Sequence, residues 1–269
     1  MNKNSLIAID VGNTNIALGL FTPEGELTHT YRLVTDRWRT ADEIQVLWTP
    51  FLQHAGADPD FVLSSVVPPA TRELVRAVHK YYSKGVYCVI PTELNAMPVK
   101  LHRPEELGPD RLVNAVAGRD LYGPPLIIVD LGTATTYEIV SEQGEYIGGA
   151  ICPGLHISAQ ALFEKTALLQ RVEVVPPPSA IGKSTIECLQ VGLFYGLVAQ
   201  VEGLVERMQK ALPHRAKVIA TGGYAELLRD QTPSVDIIDP DLTLKGLQIL
   251  YRLSQEGAIH LRCTNSSST

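Results

Sequence analysis

The chain has 269 residues, 45% of them apolar, and 23 basic against 29 acidic side chains leave a net charge of −6. That length and apolar share fit a soluble globular protein of one large or two small domains, able to bury a sizeable core. The acidic balance argues against nucleic acid or an anionic membrane surface as the main partner, because both reward an excess of Lys and Arg.

Within residues 6–20 an apolar, β-rich run ends at Asp10, turns through Gly12-Asn13-Thr14 and resumes to residue 20, which is a hairpin signature. A third strand is predicted over 27–34, after Glu24-Gly25-Glu26. Thr40-Ala-Asp-Glu43 is a capping box that opens a helix to about His54. A strand over 61–67, a helix over 69–82, a strand over 85–90 and an apolar helical run over 112–121 follow. The pattern then begins again. Residues 126–140 echo 6–20, with Asp130 answering Asp10 and Gly132 answering Gly12, and a third strand is predicted over 146–151. Helices over 156–169 and 184–212, a strand over 216–220, a short helix from Tyr224, a strand over 235–238 and a helix over 242–256 complete the chain. The polar tail over 264–269 is expected to fray.

Apolar-Asp-x-Gly turns are common, so the echo has a chance reading. The repeated third strand and the near-equal division of the chain favour duplication instead. Two copies of a β-β-β-α-β-α-β plan predict two similar α/β lobes, over 1–122 and 123–269, with a cleft between them.

A carboxylate at the end of a strand, followed by Gly, Asn and Thr, suits triphosphate chemistry. The carboxylate can hold Mg²⁺ directly or through water, and turn N–H groups and hydroxyls can bond phosphate oxygens. One such turn is also an ordinary hairpin. Two, facing each other from paired lobes, could clamp a triphosphate and neutralise charge that develops in phosphoryl transfer. Thr221-Gly222-Gly223 before a helix reads as an ordinary strand-to-helix turn or as close backbone approach to a nucleoside. Ile181-Gly-Lys-Ser-Thr185 is not a P-loop, since its first glycine would fall at Pro177 and no strand precedes it; Ser184 with Glu187 makes a helix cap. Asp110 and Arg111 read as a surface ion pair or helix cap, or else as a general base for a substrate hydroxyl and a clamp on a substrate carboxylate. The sequence alone leaves both open.

Seven scattered histidines show no metal-ligand spacing, and no hydrolase elbow, dinucleotide fingerprint or leucine heptad is present. The apolar stripe Ile186, Leu189, Leu193, Phe194, Leu197, Val201, Leu204, Val205 and Met208 reads as core or a subunit contact. Four separated cysteines suggest reduced, mostly buried residues. The uncharged stretch 146–163 is broken by glycines, a proline, a histidine and a glutamine, so no membrane span is expected. Without a signal-peptide pattern, a cytoplasmic protein is expected.

Taken together, the motifs resemble type III pantothenate kinase, a family of the actin, Hsp70 and sugar-kinase superfamily. The resemblance rests on Ile9-Asp-Val-Gly-Asn-Thr-Asn15, Ser65-Val-Val-Pro-Pro69, Gly108-Pro-Asp-Arg-Leu-Val-Asn-Ala115, Val129-Asp-Leu-Gly-Thr-Ala-Thr-Thr136, Gly148-Gly-Ala-Ile-Cys-Pro-Gly154, Ala161-Leu-Phe-Glu164, Ile181-Gly-Lys-Ser-Thr185, Thr221-Gly-Gly223 and Asp239-Pro-Asp-Leu-Thr-Leu244. It implies duplicated ribonuclease H-like (actin-like ATPase) lobes, each with a mixed five-stranded sheet. It further implies transfer of the ATP γ-phosphoryl to pantothenate, giving 4'-phosphopantothenate, the first step toward coenzyme A. Asp10, Val11, Gly12, Asn13, Thr14 and Asn15 would then form the first phosphate loop, with Asp10 near Mg²⁺. Thr133 would contact ATP, and Gly222 and Gly223 would sit near adenosine. Asp110 would be the proton acceptor, with Gly108, Pro109, Arg111 and Thr185 around pantothenate. Asp130 would hold a monovalent cation, K⁺ or NH₄⁺. A homodimer is implied, with neither nucleic acid nor membrane as partner. Leu101 stands where the family usually has a Tyr, and Pro109 where a small residue is usual. Leucine cannot supply a phenolic hydroxyl, so a kinase of another small hydroxy acid is an alternative. A non-catalytic regulator on the same fold is a second, against which three intact carboxylates, Asp10, Asp110 and Asp130, weigh.

Overall fold

The computed structural model describes residues 4–56, 58–166 and 169–264. The tail over 265–269, and the end of the helix expected over 156–169 at 167–168, lie outside the described residues. The chain divides into two units, Met1–Ala117 together with Leu242–Thr269, and Gly118–Asp241.

The first unit opens with the expected meander, β1 (Leu6–Val11), β2 (Asn15–Phe21) and β3 (Leu27–Val34). α1 (Ala41–Leu52), β4 (Asp60–Ser65), α2 (Pro68–Tyr82), β5 (Val86–Cys88) and the first turns of α3 (Pro109–Tyr122) follow. The Thr40 capping box forms as read: the Glu43 amide donates to Thr40 Oγ1 at 3.4 Å, and the Thr40 amide donates to Glu43 Oε2 at 2.8 Å. β1 runs parallel to β4 and antiparallel to β2. Alternation along β1 sends Ile7, Ile9 and Val11 into a core with Trp48, Phe51 and Leu74 of α1 and α2. Leu6, Ala8 and Asp10 therefore lie on the opposite face.

The second unit repeats the plan with β6 (Leu126–Leu131), β7 (Ala134–Val140), β8 (Tyr146–Pro153), α4 (Leu155–Lys165), α5 (Thr185–Ala211), β9 (Lys217–Thr221) and β10 (Ile237–Ile238). Its strand order, β10-β9-β6-β7-β8, matches β5-β4-β1-β2-β3 of the first unit. Ile127, Val129 and Leu131 pack against α5 residues including Phe194, Val201 and Val205. The apolar stripe of α5 is thus core from Leu193 onward, whereas Ile186 is 43% exposed. By length and hydropathy alone α5 could cross a membrane, but its buried face belongs to this core.

Several expectations need correction. The first sheet has six strands, not five, because β11 (Arg262–Thr264) pairs antiparallel with β5. The last helix, α6 (Leu242–Gln255), packs on β1, β2 and β4 of the first unit, although a division at 122/123 groups it with the second half. α3 begins at Pro109 rather than 112, since proline at the first helical position has a suitable φ and lacks only an N–H that would be unsatisfied there. A 3-10 turn over Ala225–Leu228 replaces the short helix, and the strand expected over 235–238 narrows to Ile237–Ile238. The cysteines are free but not mostly buried: Cys188 opens α5 and Cys263 lies on edge strand β11, both exposed.

Candidate functional site

Each unit carries one carboxylate-and-glycine turn at the end of its central strand. In the first, half-buried Asp10 stands in register with Ala17 of β2 and Ser64 of β4. Gly12 closes the turn by donating its amide to the Asn15 carbonyl at 3.0 Å, leaving Asn13, Thr14 and Asn15 exposed. Thr35, the residue after β3, reaches across to the same turn. Its amide donates to the Thr14 carbonyl at 2.9 Å and its hydroxyl to the Gly12 carbonyl at 2.7 Å.

In the second unit Asp130 holds the equivalent place, in register with Thr136 of β7 and Thr221 of β9. Gly132 donates to the Ala134 carbonyl at 3.1 Å. Two other glycines press on this turn. A Cβ on Gly154 would lie 2.2 Å from the Thr133 carbonyl oxygen, and one on Gly222 would lie 2.4 Å from Asp130 Oδ1. The sequence-predicted Asp130, Thr133 and Gly222 thus come together, Gly222 against the carboxylate itself, and Gly223 follows it, exposed, in the same turn.

Gly108, Pro109, Asp110 and Arg111 form the N-terminus of α3 in the first unit. Pro109 starts the helix, and Asp110 in its first turn suits the positive end of the helix dipole. Asp110 Oδ1 accepts the Arg111 amide at 2.9 Å, and a Cβ on Gly108 would lie 2.6 Å from that oxygen. Asp110 is half-buried rather than fully solvated. Burial pushes its carboxyl above the ordinary carboxylate range, against the opposing pull of the Arg111 amide and guanidinium. A half-buried carboxylate with raised proton affinity has the character of a general base. Leu101, also half-buried, precedes this segment.

Thr185 is placed differently. It is the exposed first residue of α5 in the second unit, after Ser184, which caps the helix by accepting the Glu187 amide at 3.2 Å. Lys183 is exposed and donates its backbone amide to Glu187 Oε2 at 2.7 Å, consistent with a cap rather than a P-loop.

Among the described residues no three His, Cys, Asp or Glu side chains converge as a metal cage. The oxygen chemistry around each Asp fits a hard cation. Ser64 and Thr221 are fully buried beside Asp10 and Asp130, and neither hydroxyl has a hydrogen-bond partner. Reading the sequence missed Thr35, Ser64 and the contact role of Gly154, and took Thr221 only as part of a Gly-Gly turn rather than as the hydroxyl opposite Asp130. Only the position of Thr221 opposite Asp130 is visible in the sequence, as the last residue of a strand before a Gly-Gly turn.

The type III pantothenate kinase family matches residues 6–207. The chain belongs to that family. It is accordingly a phosphotransferase of nucleotide-binding fold that works on ATP and a small molecule. Solved structures show the same actin-like ATPase fold at low identity. A candidate 2-dehydro-3-deoxygalactonokinase from Sinorhizobium meliloti is 14% identical with a TM-score of 0.57, covering 92% of this chain and 96% of that one. The ethanolamine utilization protein EutJ from Carboxydothermus hydrogenoformans is 15% identical with a TM-score of 0.54, covering 93% and 90%. A candidate Baf family transcriptional activator from Campylobacter jejuni is 17% identical with a TM-score of 0.56, covering 93% and 99%.

Proposed function

We propose that the protein transfers the γ-phosphoryl group of ATP to the primary hydroxyl of pantothenate, forming 4'-phosphopantothenate and ADP. The observation that carries this reading is Asp110, a half-buried carboxylate of raised proton affinity beside Arg111 at the start of α3, in a chain of this family. In the reaction the acceptor oxygen forms a bond to γ-phosphorus as the bond from γ-phosphorus to the β,γ-bridging oxygen breaks. Asp110 takes the proton that the acceptor hydroxyl loses. Arg111 holds the pantothenate carboxylate, with Gly108, Pro109 and Thr185 lining the acceptor. The turn from Asp10 to Asn15 binds the triphosphate, and Thr133, Gly222 and Gly223 bind nucleotide. Asp10 would lie near Mg²⁺ and Asp130 would hold K⁺ or NH₄⁺, ions that when bound would set positive charge against the phosphates.

A homodimer is supported by apolar side chains of the second unit left exposed, Ile181 at 75% and Ile151 at 64%. Free thiols fit a reducing cytoplasm. Leu101 favours a second reading, a kinase of another small hydroxy acid.

Purified protein with ATP, Mg²⁺ and K⁺ is expected to phosphorylate pantothenate in preference to a panel of hydroxy acids and sugars; preference for another acid establishes the second reading. Asp110→Asn is expected to lower kcat at least ~100-fold, and retention within a few-fold rejects Asp110 as the base. Because burial raises its pKa, Asp110 is ionised only above the ordinary carboxylate range, so the acid limb of kcat/KM lies higher than that range. The sign for stability is opposite. The fold favours the protonated form, a contribution fully present below the ordinary Asp pKa and lost as pH rises through the raised one. Asp110→Asn therefore melts higher than wild type at pH 7, a gain that shrinks in acid.

A further inference from the structure

The first turn is glycine-hinged, and a glycine peptide can rotate between alternative planes at little steric cost. Of the two carbonyls in this turn that point toward Thr35, the Gly12 oxygen receives the Thr35 hydroxyl at 2.7 Å and the Thr14 oxygen receives its amide at 2.9 Å. A trans peptide sets its C=O and N–H on opposite sides of the C–N bond. With the Gly12 carbonyl fixed toward Thr35, the N–H of Asn13 is directed the other way, from an exposed residue of the turn.

We infer that Thr35 is a positioning residue for nucleotide: its hydroxyl locks the Gly12–Asn13 peptide in the plane that presents the Asn13 amide to a phosphate oxygen. The inference rests on the reading that this turn binds the triphosphate. Thr35 acts only through the peptide it holds. The backbone hydrogen bond from the Thr35 amide survives any substitution except proline, so the hydroxyl is the separable part. Without it, rotation about Gly12 lets the Gly12 carbonyl turn outward, where its partial negative charge repels the phosphate.

The test measures the dissociation constant for Mg-ATP by direct titration, with no acceptor present, beside steady-state kinetics with pantothenate. Thr35→Val keeps the side-chain shape and removes the donor; Thr35→Ser keeps the donor. Thr35→Val is expected to weaken ATP binding roughly tenfold, the loss of about one hydrogen bond to a charged group. KM for pantothenate should change less than twofold, and Thr35→Ser should recover most of the loss. ATP binding by Thr35→Val within twofold of wild type overturns the inference, as does an equal loss in both variants, which marks a packing role. If wild type binds ATP and the valine variant binds it equally, only the role of Thr35 fails. If wild type binds no ATP, the phosphate-turn reading fails with it. Melting temperatures of both variants, expected within a few degrees of wild type, separate an altered turn from a disrupted fold.

Discussion

The two carboxylate turns descend from the same strand-turn-strand plan, yet each is held in place differently. At Asp10 the turn is tied from outside by Thr35, which follows the third strand and spends its amide and hydroxyl on the carbonyls of Thr14 and Gly12. At Asp130 the residue after the third strand is Gly154, which makes no side-chain bond and instead lies so close that a methyl group would collide with the carbonyls of Thr133 and Gly132. Gly222 presses on the same turn from β9. One turn is secured by directional bonds that can be removed singly, the other by backbone contact that tolerates no added atom. A hydrogen-bonded turn should therefore lose nucleotide affinity while keeping its fold, whereas a packed turn should lose stability and activity together.

Substitutions that add a single methyl group probe this contrast, and the largest effect is expected at Gly154. Gly154→Ala would put Cβ 2.2 Å from the Thr133 oxygen, so the turn or the start of α4 must move. A loss of about 3 kcal/mol in denaturant unfolding and of about 100-fold in kcat/KM is expected; near-wild-type values would show that the turn is not held by packing. Gly222→Ala comes next. It meets Asp130 Oδ1 at 2.4 Å and requires an L-residue at φ +90°, which together cost about 2 kcal/mol. Its activity should respond to K⁺ concentration more steeply than wild type, because the displaced group is the carboxylate assigned to the cation. At the first turn Gly12→Ala meets the Asn15 carbonyl at 3.2 Å, which a small shift relieves. The expected cost is about 1 kcal/mol or less, with a rise in KM for ATP as the main kinetic change. Gly132→Ala, whose nearest contact is an ordinary 3.5 Å, should stay within about 0.5 kcal/mol of wild type. A reversal of this order, with Gly12→Ala more damaging than Gly154→Ala, would break the comparison.

Much of the architecture could be read from residues because it rests on local patterns. The runs before Asp10 and Asp130 are short and uninterruptedly apolar, as strands buried on both faces are, and Gly-containing turns follow them, so the duplicated meander was visible. The capping box at Thr40 was equally local. Features set by distant partners were not readable. β11 has only three residues, Arg262–Thr264, and exists because the edge of β5 accepts it. α6 reads as an amphipathic helix in any context, and only its contacts, such as Gly246 packed against Val113 of α3 and Tyr251 bonded to Asp60 at 2.7 Å, assign it to the first unit. Among the candidate residues, the three acidic ones stood out because each ends a strand or opens a helix. Thr35 did not, since its partner is a carbonyl 23 positions earlier and nothing in Val-Thr-Asp announces it.

The return of α6 and β11 to the first unit bears on how the protein is made. The second unit is one uninterrupted stretch, Gly118–Asp241, whereas the first is closed by a helix that follows that stretch in the chain. The first unit lacks the helix that covers one face of its sheet until residues 242–255 have been made. The first unit thus closes only after the second has been made, and a nonsense mutation after Asp241 would leave β1, with the carboxylate at its end, uncovered on that side.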